Sequence, residues 1–213
     1  MGLNISEIIP RRELDVSELK GKIICVDAFN TLYQFLTSIR QPDGTPLMDS
    51  KKRVTSHLSG IFYRNTNLLA EGIKMVYVFD GIPPEQKIRT FRKRKEIRDL
   101  AEEKYKSAKD DEDLDSMKRY GSQLLRLNDE MIEESKELLE AMGIAVVQAP
   151  SEGEAEAAYL AKIKKEVYAS VSQDYDSILF GAPKLIRNLT LARRRKTVSG
   201  YVEIKPEMIE LDK

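Results

Sequence analysis

The sequence predicts an α/β fold in which a mostly parallel central sheet is flanked by helices. Four short apolar runs carry this prediction, because they are rich in Val, Ile and Tyr and lack the alternation of a half-exposed strand. Helical patterns separate the runs, and such alternation is typical of a parallel sheet. The runs are IICVD (23–27), MVYVFD (75–80), IAVVQAPSE (144–152) and VYASVSQD (167–174).

The connections between the runs have helical patterns. Residues 54–71, VTSHLSGIFYRNTNLLAE, repeat apolar side chains at helical spacing. Residues 116–142 predict a second helix that ends before Gly143, since glycine suits the left-handed position after a helix. Near the carboxyl end, YVEIKPEMIE (201–210) is expected to form a final strand and the start of a helix.

Residues 84–135 interrupt this rhythm with charged helical sequence and no strand pattern. The segment is much longer than an ordinary connection of roughly two to six residues. Its first part, KIRTFRKRK (87–95), contains six basic residues and no acid, whereas KDDEDLD (109–115) is strongly acidic and is expected at the tip between two helices. The basic block is either a solvated helix face or a surface for an anionic ligand.

Composition limits the class of protein. The 213 residues suit one domain with an insertion, and 35 basic residues balance 35 acidic ones, so overall charge does not indicate a nucleic-acid partner. The single cysteine, Cys25, predicts a reduced core residue and no internal disulfide. We find no membrane-spanning stretch and no signal-peptide pattern, so we expect a cytoplasmic protein with no membrane partner. MGLNIS matches a lipidation pattern, but a processed Gly2 amino terminus is the preferred interpretation.

Acidic residues follow each of the four predicted strands. They are Asp27, Asp80, Glu152, Glu154, Asp174 and Asp176. The carboxyl ends of parallel strands meet at one edge of a sheet, so we expect these carboxylates to crowd one rim. Each also has a local explanation: Ser151 and Glu154, for example, form a capping-box pattern, in which both would serve only to start a helix.

Taken together, the six carboxylates favour a metal site, because like charges held this close destabilise a fold unless cations neutralise them. Oxygen ligands select Mg²⁺ or Mn²⁺, and the chain has only one His and one Cys to offer zinc. Six acids exceed what one Mg²⁺ takes, so we predict two ions about 4 Å apart, an arrangement that serves in-line attack on phosphodiesters.

A different enzyme class shares part of one of these motifs. VDAFNTL resembles the first motif of the haloacid-dehalogenase phosphatases, with Asp27 as the nucleophile. Those enzymes need a second acid two residues later, where this chain has Phe29, and a Ser or Thr at a second strand end, where it has FDG. This alternative is therefore disfavoured.

Six segments closely resemble the structure-specific 5′ nucleases, in particular the archaeal-type flap endonucleases. They are VDAFNTLYQFL (26–36), RQPDGTPLMD (40–49), TSHLSGIFYR (55–64), YVFDGIPPEQK (77–87), MGIAVVQAPSEGEAEAAYLA (142–161) and SQDYDSILFGAPKLIRNLT (172–190). The resemblance implies the PIN-like fold of these nucleases, with residues 84–135 as a helical arch. It also implies a branched DNA substrate that carries a 5′ flap.

The resemblance implies roles for particular residues. The same six acids match the family's metal ligands. Tyr33 matches an aromatic residue that stacks on the nucleotide beside the scissile phosphate, and Lys87 and Arg94 match a basic pair that reaches from the arch. Residues expected at the DNA are Arg40, Arg64, Glu152 and Gly2. The basic run RRRK (193–196) is either a loop that touches DNA or a solvated hairpin tip.

The resemblance divides the chain into an N-terminal nuclease region, 1–98, and an internal region, 116–213, which form one domain. Family members continue with a helix-hairpin-helix region, a further aspartate and a tail that binds the sliding clamp, and we find no pattern for these here. We therefore expect a nuclease core that binds metal but cleaves weakly. A DNA-binding module with little catalysis and a PIN-like metal-dependent ribonuclease remain as alternatives.

Overall fold

The computed structural model describes residues 8–41, 45–84, 88–111, 113, 116, 120, 126–190, 194–197 and 200–211. The chain folds into two compact units. The first unit comprises Met1–Thr31, Tyr63–Ile82 and Leu139–Lys213, and the second comprises Leu32–Phe62 and Pro83–Leu138.

The first unit is built on a mixed sheet. The strands, in chain order, are β1 (Arg12–Glu13), β2 (Ile23–Asp27), β3 (Lys74–Phe79), β4 (Ala145–Gln148), β5 (Val167–Val171), β6 (Lys184–Arg187), β7 (Arg194–Thr197), β8 (Gly200–Glu203) and β9 (Glu207–Glu210). Within the described residues, seven of them form one sheet in the order β1-β9-β6-β5-β2-β3-β4, and β7 pairs with β8 in a separate hairpin. The strands from β6 to β4 run parallel, and β9 and β1 extend the sheet in antiparallel fashion. The predicted mostly parallel sheet is confirmed.

The four predicted strands all form, as β2, β3, β4 and β5, but the carboxyl-terminal part of the chain differs from expectation. The helix start expected within YVEIKPEMIE is wrong, because Glu207–Glu210 form a strand that pairs with β6 on one side and β1 on the other. The run RRRK is not a loop over its described part, since residues 194–196 belong to β7. Both differences arise from pairing with distant or neighbouring strands, which outweighs local propensity.

The helices are α1 (Ala28–Ser38), α2 (Ser56–Ala70), α3 (Ile88–Asp110), α4 (Asp129–Ala141), α5 (Gly153–Ile163) and α6 (Asp176–Leu179). The 23 residues of α3 confirm a long helix within the 84–135 insertion. Residues 116–142 do not form one continuous helix: residues 116 and 120 are helical, but residues 126–128 are not. The Asn128 side chain accepts the Met131 N–H at 2.8 Å, and α4 begins at Asp129. Gly143 follows α4 with a left-handed φ of 74°, as predicted.

The core of the first unit surrounds β2. Ile24, Cys25 and Val26 are fully buried, as expected of a strand covered on both faces. Burial, and after it the charge of Glu156, raises the pKa of the Cys25 thiol to about 12. None of the helices in the described ranges has the length and apolar character needed to span a membrane.

The second unit holds a loop before α2 through buried polar contacts. The Ser56 hydroxyl, which is fully buried, donates to the Ile39 carbonyl at 2.8 Å and accepts the Leu47 N–H at 2.9 Å. The next residue, His57, is also fully buried, and its Nε2 lies 3.4 Å from Oε2 of Glu134 on α4. The unit therefore contains a buried titratable group whose nearest charge is a carboxylate.

Candidate active site at the carboxyl edge of the sheet

The chain reverses its direction of sheet building at β2. From β2 it proceeds to β3 and β4 on one side, and it then returns to place β5 and β6 on the other side. In open α/β sheets, ligands bind beyond the carboxyl ends of the strands at such a reversal. The predicted acids lie at this edge: Asp27 is the last residue of β2, Asp80 follows β3, Glu152 and Glu154 follow β4, and Asp174 and Asp176 follow β5.

Two of these carboxyl groups, the buried Asp27 and the half-buried Glu154, lie close to other acids. Asp27 is only 5% exposed, and burial together with the charge of Glu154 raises its pKa to about 8, although the backbone N–H of Asn30 opposes the shift. Asp80 and Asp174 raise this pKa further. Burial, followed by the charges of Asp174 and Asp176, raises the pKa of Glu154 to about 7. Asp80, Asp174 and Asp176 thus lie near enough to raise the pKa of Asp27 or Glu154.

For four of the acids, the residues that the structure describes supply no ion-pair partner. In that part of the chain, Asp27, Glu154, Asp174 and Asp176 take part in no ion pair. Hard carboxylate oxygens with uncompensated negative charge suit a cation such as Mg²⁺. The side chains are not, however, gathered as ready-made ligands: no group of three His, Cys, Asp or Glu residues among those described has a metal-holding arrangement. The set of six ligands stays a prediction.

The helix that carries two of the acids begins in an unexpected way. The capping box predicted for Ser151 and Glu154 is wrong, because the Ser151 hydroxyl donates to the Ile82 carbonyl at 3.0 Å and Glu152, the N-cap residue, makes no side-chain cap. Instead, Oδ1 of Asp80 accepts the N–H of Gly153 at 2.6 Å. Asp80 therefore serves as the cap of α5 from the neighbouring strand and is fixed in place by it.

Gly153 is required for this arrangement and was not among the residues predicted from the sequence. A Cβ atom added there would lie 2.8 Å from Oδ1 of Asp80 and 2.9 Å from the carbonyl oxygen of Val78. The signal was present in the sequence, because glycine is an unfavourable residue in a helix and here stands between Glu152 and Glu154.

Two neutral side chains that contact the acids were also missed. Asn30, on the first turn of α1, donates its side-chain amide to Oδ2 of Asp174 at 3.1 Å. Ser177, on α6, donates both its backbone N–H and its hydroxyl to Oε1 of Glu154, each at 3.0 Å. The only available sequence signal was that each is a polar residue close to a predicted ligand.

The remaining predicted residues belong to both units or lie outside the described part of the chain. Tyr33 lies on α1 and is 39% exposed, and Arg40 donates its Nε to the Thr37 carbonyl at 3.0 Å; both belong to the second unit. Arg64 lies half-buried on α2, within the first unit. Gly2, Lys87 and the side chain of Arg94 lie outside the described residues. Their proposed roles at the DNA stay predictions.

Two segments of the chain match described families. Residues 4–101 match the XPG N-terminal domain, and residues 143–213 match the XPG I-region. Flap endonuclease 1 of Pyrococcus furiosus is 58% identical over 214 residues, and that of Thermococcus onnurineus is 57% identical over 214 residues. These alignments cover 100% of this chain but only 63% and 62% of the relatives, so the chain spans about three-fifths of their length.

Solved structures agree with the sequence matches. The flap endonuclease-1 of Methanococcus jannaschii has a TM-score of 0.72 at 44% identity, covering 98% of this chain and 63% of that one. The catalytic core of Rad2 in complex with DNA substrate has a TM-score of 0.63 at 30% identity, covering 94% and 51%. With both family regions, the relatives and the solved structures in agreement, the chain belongs to the XPG and flap endonuclease family.

Proposed function

We propose that this chain is the nuclease core of a structure-specific 5′ flap endonuclease, with 5′–3′ exonuclease action, on branched DNA in replication and repair. The observation that carries the proposal is the similarity, over the whole chain, to two flap endonucleases at 57% and 58% identity. The Rad2 relative, described in complex with DNA substrate, supports a DNA substrate here. The chain spans about three-fifths of its relatives' length. The proposal therefore includes the activity of the whole protein, its sliding-clamp partner and an intracellular location.

The proposed reaction is metal-dependent hydrolysis of a phosphodiester. The residues that would hold two Mg²⁺ ions, or Mn²⁺ as a substitute, are Asp27, Asp80, Glu152, Glu154, Asp174 and Asp176. Such ions, when bound, supply an activated water, neutralise the phosphoryl oxygens and stabilise the leaving oxygen. The burial of Asp27 and Glu154 strengthens their attraction for a cation, because a low local dielectric screens charge weakly. The N–H of Gly153, which donates to Oδ1 of Asp80, keeps this carboxylate in place.

Other residues of the chain would act on the DNA itself. Lys87 and Arg94 would add positive charge near the scissile phosphate, and Tyr33 would stack on the adjacent base. The residues proposed to contact the DNA are Arg40, Arg64, Glu152 and Gly2. Phosphate contacts of this kind make binding weaken with salt.

The test is a cleavage assay with a labelled 5′-flap duplex beside a labelled single-stranded RNA. We expect a product cut near the flap junction in Mg²⁺ or Mn²⁺, none in EDTA, and none from Asp80→Ala. RNA cleavage without flap cleavage would favour the PIN-like ribonuclease instead. DNA affinity without any product, at every enzyme concentration, would identify a DNA-binding module and overturn the proposal. Product from Asp80→Ala at the parent rate would expose a contaminating nuclease.

A further inference from the structure

We propose that Asn30 and Ser177 are positioning residues of the candidate metal site, each holding one carboxylate in a single orientation by neutral hydrogen-bond donors. Asn30 would orient Asp174, and Ser177 would orient Glu154. This inference rests on the metal-dependent function proposed above and concerns how the chain prepares its oxygens for the ions.

Asn30 connects two neighbouring strand ends at the point where the sheet reverses. Its backbone N–H donates to Oδ1 of Asp27 at 3.1 Å, and its side-chain Nδ2 donates to Oδ2 of Asp174 at 3.1 Å. Its Oδ1 accepts the backbone N–H of Gln173 at 3.3 Å. A backbone N–H can only donate, so this last bond fixes the amide with its NH₂ group towards Asp174. One residue thereby joins the end of β2 to the loop after β5.

Ser177 holds Glu154 with two donors on one oxygen. Its N–H and its Oγ each lie 3.0 Å from Oε1 of Glu154. Oγ of Ser170, on β5, lies 3.1 Å from Oγ of Ser177, and both serines are fully buried. Since the Ser177 hydroxyl proton points to Glu154, Ser170 is the donor between the two serines. The result is a directed chain of hydrogen bonds from β5 through α6 to the carboxylate.

The neutrality of these donors is the feature that suits a metal site. A Lys or Arg side chain would also fix a carboxylate, but it would cancel the negative charge that attracts the cation. An amide and a hydroxyl fix the carboxylate and leave the charge in place. Hydrogen-bond partners behind metal ligands orient those ligands in this way, and their loss commonly weakens metal binding about 10- to 100-fold.

The experiment measures Mn²⁺ binding without DNA, from the electron paramagnetic resonance signal of free Mn²⁺, for the wild type, Asn30→Ala and Ser177→Ala. The matched control is Asn67→Ala, which removes an exposed asparagine from α2 in the same unit. We expect about tenfold weaker Mn²⁺ binding for both test variants and no change for the control. A denaturant titration in metal-free buffer shows whether each variant is folded. If Asn30→Ala does not fold, Asn30→Ser takes its place, because the serine side chain is too short to reach Asp174.

A second readout separates positioning from a merely structural role. Flap cleavage by Asn30→Ala should need more Mg²⁺ for half-maximal rate yet approach the wild-type rate when Mg²⁺ is in excess. A test variant that binds Mn²⁺ as tightly as the wild type would overturn the inference for that residue and leave the proposed function intact. A wild-type protein that binds no Mn²⁺ would overturn the proposed function, and this inference with it.

Discussion

Replacing Gly153 with alanine should damage both stability and metal binding. The added Cβ would lie 2.9 Å from the carbonyl oxygen of Val78 in β3, so the start of α5 must move by about 0.5 Å to reach the ordinary contact distance of 3.4 Å. Overpacking of this kind costs about 1–3 kcal/mol, and replacing glycine in a helix returns at most about 1 kcal/mol. With the full return, we expect a net loss of up to about 2 kcal/mol in the free energy of unfolding.

The same shift should reach the metal site, because the added Cβ would also lie 2.8 Å from Oδ1 of Asp80 and would disturb its 2.6 Å bond to the Gly153 N–H. We expect about tenfold weaker Mn²⁺ binding, in addition to a lower urea midpoint. Gly143→Ala is the matched control: its φ of 74° makes alanine cost about 1–2 kcal/mol, but the new Cβ meets no atom within 4 Å, so Mn²⁺ affinity should not change. A Gly153→Ala protein with wild-type stability and wild-type Mn²⁺ affinity would refute the reasoning.

Three further predictions concern buried polar groups. Asp27→Asn should raise the free energy of unfolding in metal-free buffer near pH 7 by at least about 1 kcal/mol, because the pKa of Asp27 is raised to about 8 and folding must therefore protonate a carboxyl that ionises in the unfolded chain, whereas the amide needs no proton. Mg²⁺ should no longer raise the melting temperature of this variant, and a lower stability would contradict the prediction. Tyr77→Phe should lower the free energy of unfolding in urea by about 1–3 kcal/mol, because the Tyr77 hydroxyl donates to Oδ1 of the buried Asn65 at 2.8 Å. An unchanged urea midpoint would show that Asn65 finds another donor. Burial lowers the pKa of His57 below 6.5 despite the opposing charge of Glu134, so the folded protein binds this proton less readily than the unfolded chain. The contribution of neutral His57 to the free energy of unfolding is therefore complete above pH 6.5 and is lost as the pH falls below that value, by up to about 1.4 kcal/mol per pH unit. When unfolding is measured over the same pH range, His57→Gln should lose less stability.

The apolar strands and the acids at their ends were predictable because each depends on a short stretch of sequence. The runs that form β2 and β3 are apolar up to the acid that ends each run, since most residues of both strands are buried. The position of Asp27 then followed, because parallel strands present their carboxyl ends at one edge. The family resemblance added roles for residues such as Tyr33, for which helical spacing alone gives no reason to prefer a DNA contact over a place in the core.

What could not be predicted depends on partners distant in sequence. The capping box was a sound local pattern, but Ser151 donates to Ile82, and the cap comes from Asp80, 73 residues before Gly153. Asn30 meets Asp174 across 144 residues. A local pattern cannot identify which of several possible partners the tertiary structure supplies, so the hydrogen bonds that orient the acids emerged only from the structure.

The burial of Cys25 provides a built-in reporter of how the candidate active site opens. Cys25 is the single cysteine of the chain, and its strand is hydrogen-bonded to β3 on one side and β5 on the other. The thiol lies on one face of the sheet and packs against Ala157 of α5, so a thiol reagent can react only when α5 moves off the sheet, and the same event carries away Glu154. The labelling rate of the unmodified protein, followed as Mg²⁺ is added, would therefore show whether metal binding slows the opening of α5.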